Sequence, residues 1–372
     1  MALDTVCLRS PALAAEVAGT IEGKLDSIQR ISNSTGEVFW YLTTKTLKGS
    51  HDSNISVKLV GTDAGRALRV EASIHKFLLG QNVYGNPEGF QERCGELVDR
   101  VAAELEVSLP AAGCWQTLRV DWAFAFDLGG ADLVGAFFRG MRGCTFPRRK
   151  VNRYHFESFH IPGKVTTLKA YHKGPELRAN GAALRKSLPP DVSRKLQELA
   201  DQRLRVEVGI RSARLGRFSK CGRKSLPLVR DLVDSDFEKV YEQEVDRLLR
   251  ERHEVESKIV RTHEAVAQRL KEKFGGRLCD VLYGFWARLS TQGEDGTRVD
   301  VARSTFYRRR KQLEGAGVSW KGTDVVDDRS VVDAFDGLTL KRTDPRRCTE
   351  TVADALALMQ PAKCASTGCV TA

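Results

Sequence analysis

The chain has 372 residues, 41% hydrophobic and 8% aromatic, enough apolar surface for folded cores and against collagen-like, mucin-like or low-complexity classes. Its 59 Lys and Arg against 48 Asp and Glu leave a net charge of +11, which attracts polyanions, with nucleic acid first and an anionic membrane second. Nine cysteines without a CxxC pair exclude a disulfide scaffold and a zinc finger and read as reduced thiols of a cytosolic protein. Asp4 and Arg9 interrupt the first apolar run, so no secretory signal is expected. The most apolar window, Trp122 to Phe138, is broken by Asp127, Gly129, Gly130 and Asp132, so no membrane partner is expected.

Period-two alternation dominates the first two hundred residues. Leu68 to Ser73 sets Arg69 and Glu71 opposite Val70. A helix is expected over Glu88 to Leu105, where Cys94, Leu97, Val101 and Leu105 recur at helical spacing. In LRVDWAFAFDL, Leu118, Val120, Trp122, Phe124, Phe126 and Leu128 form one apolar face and Asp121 lies on the other. Tyr154 to His172 reads as two strands around Pro162-Gly163, a register that pairs Ile161 with Lys164 and Tyr154 with Tyr171. A helix over Asp191 to Ala200 follows, then a strand over Leu204 to Ile210 that carries Arg205 and Glu207 opposite its apolar residues. These elements predict an α+β fold, a mostly antiparallel sheet with helices, over residues 1–218.

Beyond it a basic linker is expected over 219–235, a helical domain over 236–322, and a tail over 323–372 that is partly disordered. Within the helical domain, Val301 to Val318 reads as the recognition half of a helix-turn-helix. Ser304 would be its N-cap and Arg308, Arg309, Arg310 and Lys311 would face phosphates or guanine edges, a solvated basic helix being the alternative.

No Walker A loop or dinucleotide fingerprint is present, so no nucleotide cofactor is expected. Arg139, Arg142, Arg148, Arg149, Lys150 and Arg153 form a basic run with Phe146 and Tyr154 available for stacking, and a second cluster runs from Arg203 to Lys224. Together they suggest a groove that follows a phosphate backbone. Glu71, Asp121 and Glu207 are hard oxygen ligands that suit Mg²⁺ or Mn²⁺, or else each pairs with its neighbouring Arg69, Arg119 or Arg205. Tyr171 is either a half-buried packing residue or a nucleophile whose phenolate the adjacent Lys169 and Lys173 would favour. His155, His160 and His172 alternate faces and read as structural or DNA-contacting.

The segments LDTVCLRSP, LKGSHDSNISVKL, LRVEASIHKFLLGQNVYG, LRVDWAFAFDL, LKAYHKGPEL and LRVEVGIRSARL together resemble the gene II/X replication proteins of filamentous phages over residues 3 to 218. More distantly the chain is similar to the rolling-circle initiators of small staphylococcal plasmids, which share an RhD, YxKxxE and RhE pattern, h being apolar. The resemblance implies a strand-nicking endonuclease and strand transferase in which Tyr171 is the nucleophile and Lys173 and Glu176 belong to the same motif. The family's strand acids match Glu71, Asp121 and Glu207, whereas the paired-histidine metal motif of the wider nickases is not legible. Tyr154 would be a second nucleophile or a stacking platform.

On this reading the protein starts rolling-circle replication in the host cytoplasm, nicking single-stranded or duplex origin DNA with Mg²⁺ or Mn²⁺ and freeing a 3′-hydroxyl for host helicase and polymerase. The alternative is a non-catalytic regulator that binds DNA through the helix-turn-helix.

Overall fold

The structure is a computed structural model that describes residues 2–48, 53–141, 146, 149–154, 157–219, 225–258, 260–320, 323 and 340–360. Ten strands are described: β1 (Ala2–Arg9), β2 (Asp26–Ile31), β3 (Val38–Lys48), β4 (Asn54–Thr62), β5 (Gly65–Ser73), β6 (Gln116–Asp127), β7 (Asn152–Tyr154), β8 (Ser158–Ile161), β9 (Thr166–His172) and β10 (Arg203–Arg211). They form one sheet in the order β2-β3-β4-β5-β1-β6-β10-β9-β8-β7. Every neighbouring pair is antiparallel. The helices are α1 (Ala15–Lys24), α2 (Ile74–Leu79), α3 (Phe90–Leu105), α4 (Ala131–Gly140), α5 (Lys173–Asn180), α6 (Ala182–Ser187), α7 (Pro190–Asp201), α8 (Ser212–Leu215), α9 (Asp234–Lys258), α10 (His263–Phe274), α11 (Gly276–Val299), α12 (Arg303–Ala316) and α13 (Val352–Met359). The fold is α+β: an antiparallel sheet with helices, followed by a helical module.

Alternation gives the sheet one apolar and one polar face. Val120, Trp122, Phe124 and Phe126 of β6 and Leu204, Val206, Val208 and Ile210 of β10 are buried on the apolar side. Phe237 and Tyr241 of α9 cover them, with ring centroids 5.3 Å from Trp122 and 4.6 Å from Phe124, and Phe90 of α3 meets Phe237 at 4.8 Å. By packing, then, α9 completes the first core and does not start a separate domain at 236. Its Phe237, Val240, Tyr241, Val245 and Leu248 face the sheet because a sheet this apolar must be covered. Val229 and Leu232, inside the expected linker, join the same core.

The register expected around Pro162-Gly163 is corrected. Ile161 pairs with Leu168 and Ser158 with Tyr171, while Tyr154 lies one strand further out, on β7, opposite Ser158. Pro162 and Gly163 lie in a connection running to Val165, longer than the two-residue hairpin assumed, because Pro-Gly does not favour the primed turns that match strand twist.

Within the expected tail, residues 340–360 pack on the sheet domain. β1 runs out at Ala2, opposite Ala123, and leaves the rest of that edge of β6 open. The segment around Arg347 takes it: Cys348 N donates to Ala125 O at 2.9 Å and Asp127 N to Arg346 O at 2.8 Å. Asn86 Nδ2 donates to the carbonyls of Cys348 and Glu350 at 3.0 and 3.1 Å, and Arg203 pairs with Glu350.

Residues 260–320 have their own core, built on Val266, Leu270, Leu282, Phe285, Trp286, Leu289, Phe306 and Leu313. α11 is kinked at Gly293, whose φ of 71° only glycine adopts readily. The cap of α12 is Ala302, and Ser304 sits inside its first turn, contrary to expectation. The module closes at its base, where Val260 N donates to Gly317 O at 2.9 Å and Ser319 N to Val260 O at 3.1 Å.

Candidate active site

The strand register brings the chemistry-bearing side chains onto the polar face. Tyr171 on β9 is opposite Arg205 on β10, and Lys169 is opposite Glu207. On the next strand Glu207 faces Ala123 and Gly209 faces Asp121, so each acid meets a small residue. A Cβ on Gly209 would lie 2.9 Å from Asp121 Oδ1 and collide with the Thr167 hydroxyl, so glycine is what lets these two groups approach.

Tyr171 Oη donates to Glu207 Oε1 at 2.6 Å, and the same oxygen accepts from Arg205 Nε at 3.0 Å. Arg205 is buried and its remaining donors go to Asp4 Oδ1 at 2.7 Å and Asn82 O at 3.1 Å, which fixes the guanidinium and, through it, the carboxylate. Asp4 escaped the sequence reading for a physical reason. Strict alternation puts it on the side of Val6 and Leu8, but a register shift between Leu3 and Thr5 marks a bulge, and Asp4 reaches Arg205 on the other face.

Burial, reinforced by the charge of Glu207, holds the Tyr171 phenol well above its ordinary pKa. The phenol is therefore protonated at neutral pH in this structure, and its lysine neighbours do not offset the burial. Lys173 is also buried, and burial pushes its pKa down to about 8 against the pull of Glu176. Its ammonium donates to Asn82 Oδ1 at 2.6 Å and to Glu176, and it lies 5.6 Å from the centroid of the Tyr171 ring. Burial alone would raise Glu176, but the charge and hydrogen bond of Lys173 take it below the usual carboxylate value.

The three strand acids share this face without converging. Glu71 accepts from Arg119 at 3.1 Å and from Arg69 at 3.3 Å, and both Asp121 oxygens are taken by Arg119, whose Nε is 2.8 Å away. Glu207 belongs to Tyr171 and Arg205. Among the described residues no group of three or more His, Cys, Asp or Glu is placed to hold a metal ion. As arranged, these carboxylates are neutralised by arginines, so Glu71, Asp121 and Glu207 do not fit a common divalent cation.

The basic residues divide by their partners. Arg149 is a clamp: it donates to both oxygens of Glu244 at 2.8 and 3.2 Å and to Thr166 Oγ1 at 2.9 Å. Lys150 is exposed. Arg153 and Tyr154 lie on β7, the outermost strand. Arg142, Arg148, His155, Lys220, Arg223 and Lys224 lie outside the described residues. On α12 Arg308 is exposed, whereas Arg309 lies over the Phe285 ring and Arg310 bonds Glu294 at 2.9 Å and Glu314 at 3.0 Å. His172 bonds the Asp201 carbonyl at 2.8 Å, a structural role.

An antiparallel sheet whose polar face holds a tyrosine against a fixed carboxylate, with a buried lysine beside it, defines an α+β protein with one concentrated titratable site. A family model for the N-terminal part of a phage replication-associated protein, the gene II product, matches residues 13–235. The chain belongs to that family, the filamentous phage gene II replication proteins. No curated protein and no solved structure matches the chain.

Proposed function

We propose that this protein starts rolling-circle replication by nicking one strand of origin DNA with Tyr171 and later rejoining it. What carries the reading is the hydrogen bond from Tyr171 Oη to Glu207 Oε1, at 2.6 Å, with Glu207 itself fixed by Arg205. A nucleophile in reach of a base, with the base oriented by a third group, is the arrangement that activates a weak hydroxyl. Glu207 takes the phenolic proton as Oη attacks phosphorus in line. The 3′-oxygen leaves and takes a proton from the Lys173 ammonium, and the 5′ end stays as a phosphotyrosine ester. Lys173 has three donors and spends two on Asn82 and Glu176, so its third is available for the phosphoryl oxygens, where charge develops, or for the leaving oxygen.

The ester conserves the energy of the phosphodiester, so rejoining needs no nucleotide cofactor. The freed 3′-hydroxyl would prime a host polymerase, with a host helicase opening the duplex in the host cytoplasm. No described helix is long and apolar enough to cross a membrane. Arg69, Arg119 and Lys169 have 42%, 37% and 43% of their side chains exposed on the polar face and would attract the DNA backbone. The exposed Arg308 would add duplex contacts from α12. Mg²⁺ or Mn²⁺ enters this reading as a requirement to be titrated, with no step assigned to it.

The test is a labelled single-stranded origin oligonucleotide incubated with the full chain. Wild type should give an adduct that survives boiling in detergent, and Tyr171→Phe should bind the oligonucleotide and give none. Adduct formation by Tyr171→Phe would move the nucleophile elsewhere, with Tyr154 the next candidate. Cleavage unaffected by either substitution would replace the tyrosine with activated water.

A further inference from the structure

Next to the candidate active site, the turn at Gly80–Asn82 and helices α5 and α6 enclose a cleft of about 470 Å³, its mouth included. Its walls mix three characters. Leu177, Ala183 and Leu184 supply apolar surface, Ser53, Asn82 and Asn180 supply hydroxyl and carboxamide groups, and Lys76 and Glu176 supply charge. The cleft shares a wall with the chemistry: Asn82 and Glu176 line it and are the two groups that hold the Lys173 ammonium.

Ser53, one of the residues lining the cleft, is only 9% exposed, and its Oγ has no hydrogen-bond partner in the structure. A buried hydroxyl without a partner is costly, and buried polar groups are normally paired. The neighbouring turn is braced: Gln81 Oε1 accepts from Val83 N at 2.6 Å and from Tyr84 N at 2.9 Å, which fixes the backbone there.

We propose that this cleft receives the unpaired nucleobase next to the scissile phosphodiester, and so supplies sequence specificity at the cleavage junction. A nucleobase has flat apolar faces and a rim of donors and acceptors, which match leucine and alanine walls with hydroxyl and carboxamide groups at the edge. With the phosphate at Tyr171 and Lys173, the shared wall leaves the base of an adjoining nucleotide nearest the cleft. Reading a base in this way requires it to be unstacked, which favours single-stranded or extruded DNA over intact duplex.

The inference rests on the tyrosine mechanism above, and the experiment separates the two. A random-sequence single-stranded oligonucleotide pool is incubated with the full chain, the covalent adducts are isolated, and the attached strands are sequenced from the tyrosine outward. Wild type should show a strong base preference at one position beside the junction. Ser53→Ala removes only the unpartnered hydroxyl, and Ala183→Phe plugs the cleft from an exposed position on α6. Both should still form adducts, with the preference at that position reduced about tenfold and the other positions unchanged. Wild-type preference retained in both variants would overturn the assignment. Failure of wild type to form any adduct would overturn the tyrosine mechanism and the cleft assignment with it.

Discussion

Removing everything after residue 218 should destroy the fold, although every candidate catalytic side chain lies before that point. The truncation deletes α9, whose Phe237, Val240, Tyr241, Val245 and Leu248 are each at most 1% exposed against the sheet. At about 1.5–3 kcal/mol per buried side chain, their loss costs about 8–15 kcal/mol. A compact unfolded state lowers that figure by about a third. The remainder still equals the whole stability of an ordinary domain, about 5–15 kcal/mol. The same cut strips residues 340–360 from the edge of β6 and leaves Arg203 without Glu350. The assay is urea unfolding followed by far- and near-UV circular dichroism, with the full chain as reference. The truncated chain should show no cooperative transition and no near-UV signal. A sharp transition near that of the full chain would refute the assignment of α9 to the first core.

Three further outcomes are expected. Glu207→Gln keeps a hydrogen-bonding partner for Tyr171 but no base, so adduct formation measured in single turnover should fall by about 10²–10⁴ with oligonucleotide affinity unchanged, and an unaltered rate would remove Glu207 from the chemistry. Lys173, with its pKa lowered to about 8 by burial, sheds its proton in the native state well before it does so in the unfolded chain. Adduct formation should therefore decline as pH rises through about 8, while stability to urea rises above that value because only the unfolded state still binds the proton; Lys173→Met should show neither trend. On α12, Arg308→Ala should lower the salt dependence of duplex binding by about one unit of slope at unchanged melting temperature, whereas Arg310→Ala should lower the melting temperature of the helical module, since it releases Glu294 and Glu314.

The sequence made the two faces of β6 and β10 plain, because six apolar residues at even spacing in LRVDWAFAFDL admit few other arrangements, and it therefore placed Glu71, Asp121 and Glu207 together on the polar side. It could not assign their partners. Whether an acid binds a cation or the arginine two residues away depends on side-chain geometry, and the ladder opposite decides it: Tyr171 reaches Glu207 only because β9 and β10 pair Lys169 with Glu207. Asp4 was hidden by a bulge, which shifts alternation by one residue without any mark in composition. Asn82 was hidden by distance in sequence, since it meets Lys173 across 91 residues. The placement of α9 was obscured by its dense charges, which look like a free helix, although its apolar stripe at 237, 240, 241, 245 and 248 required a surface to cover.

The clasp between Val260 and the Gly317–Ser319 segment brings the two ends of the helical module together, while the chain before it and the chain after it are both built into the sheet domain. The module is thus an insertion with adjoining ends, the condition under which one folded unit can interrupt another without disturbing either core. Residues 260–320 are then exchangeable cargo: a foreign three-helix reader of duplex sequence could be spliced between the same two anchor points. The candidate active site would keep its sheet, its covering helix and its terminal segment. Chain order also sets a schedule, because the sheet domain is complete only when residues 340–360 have been synthesised, after the inserted module has had time to fold.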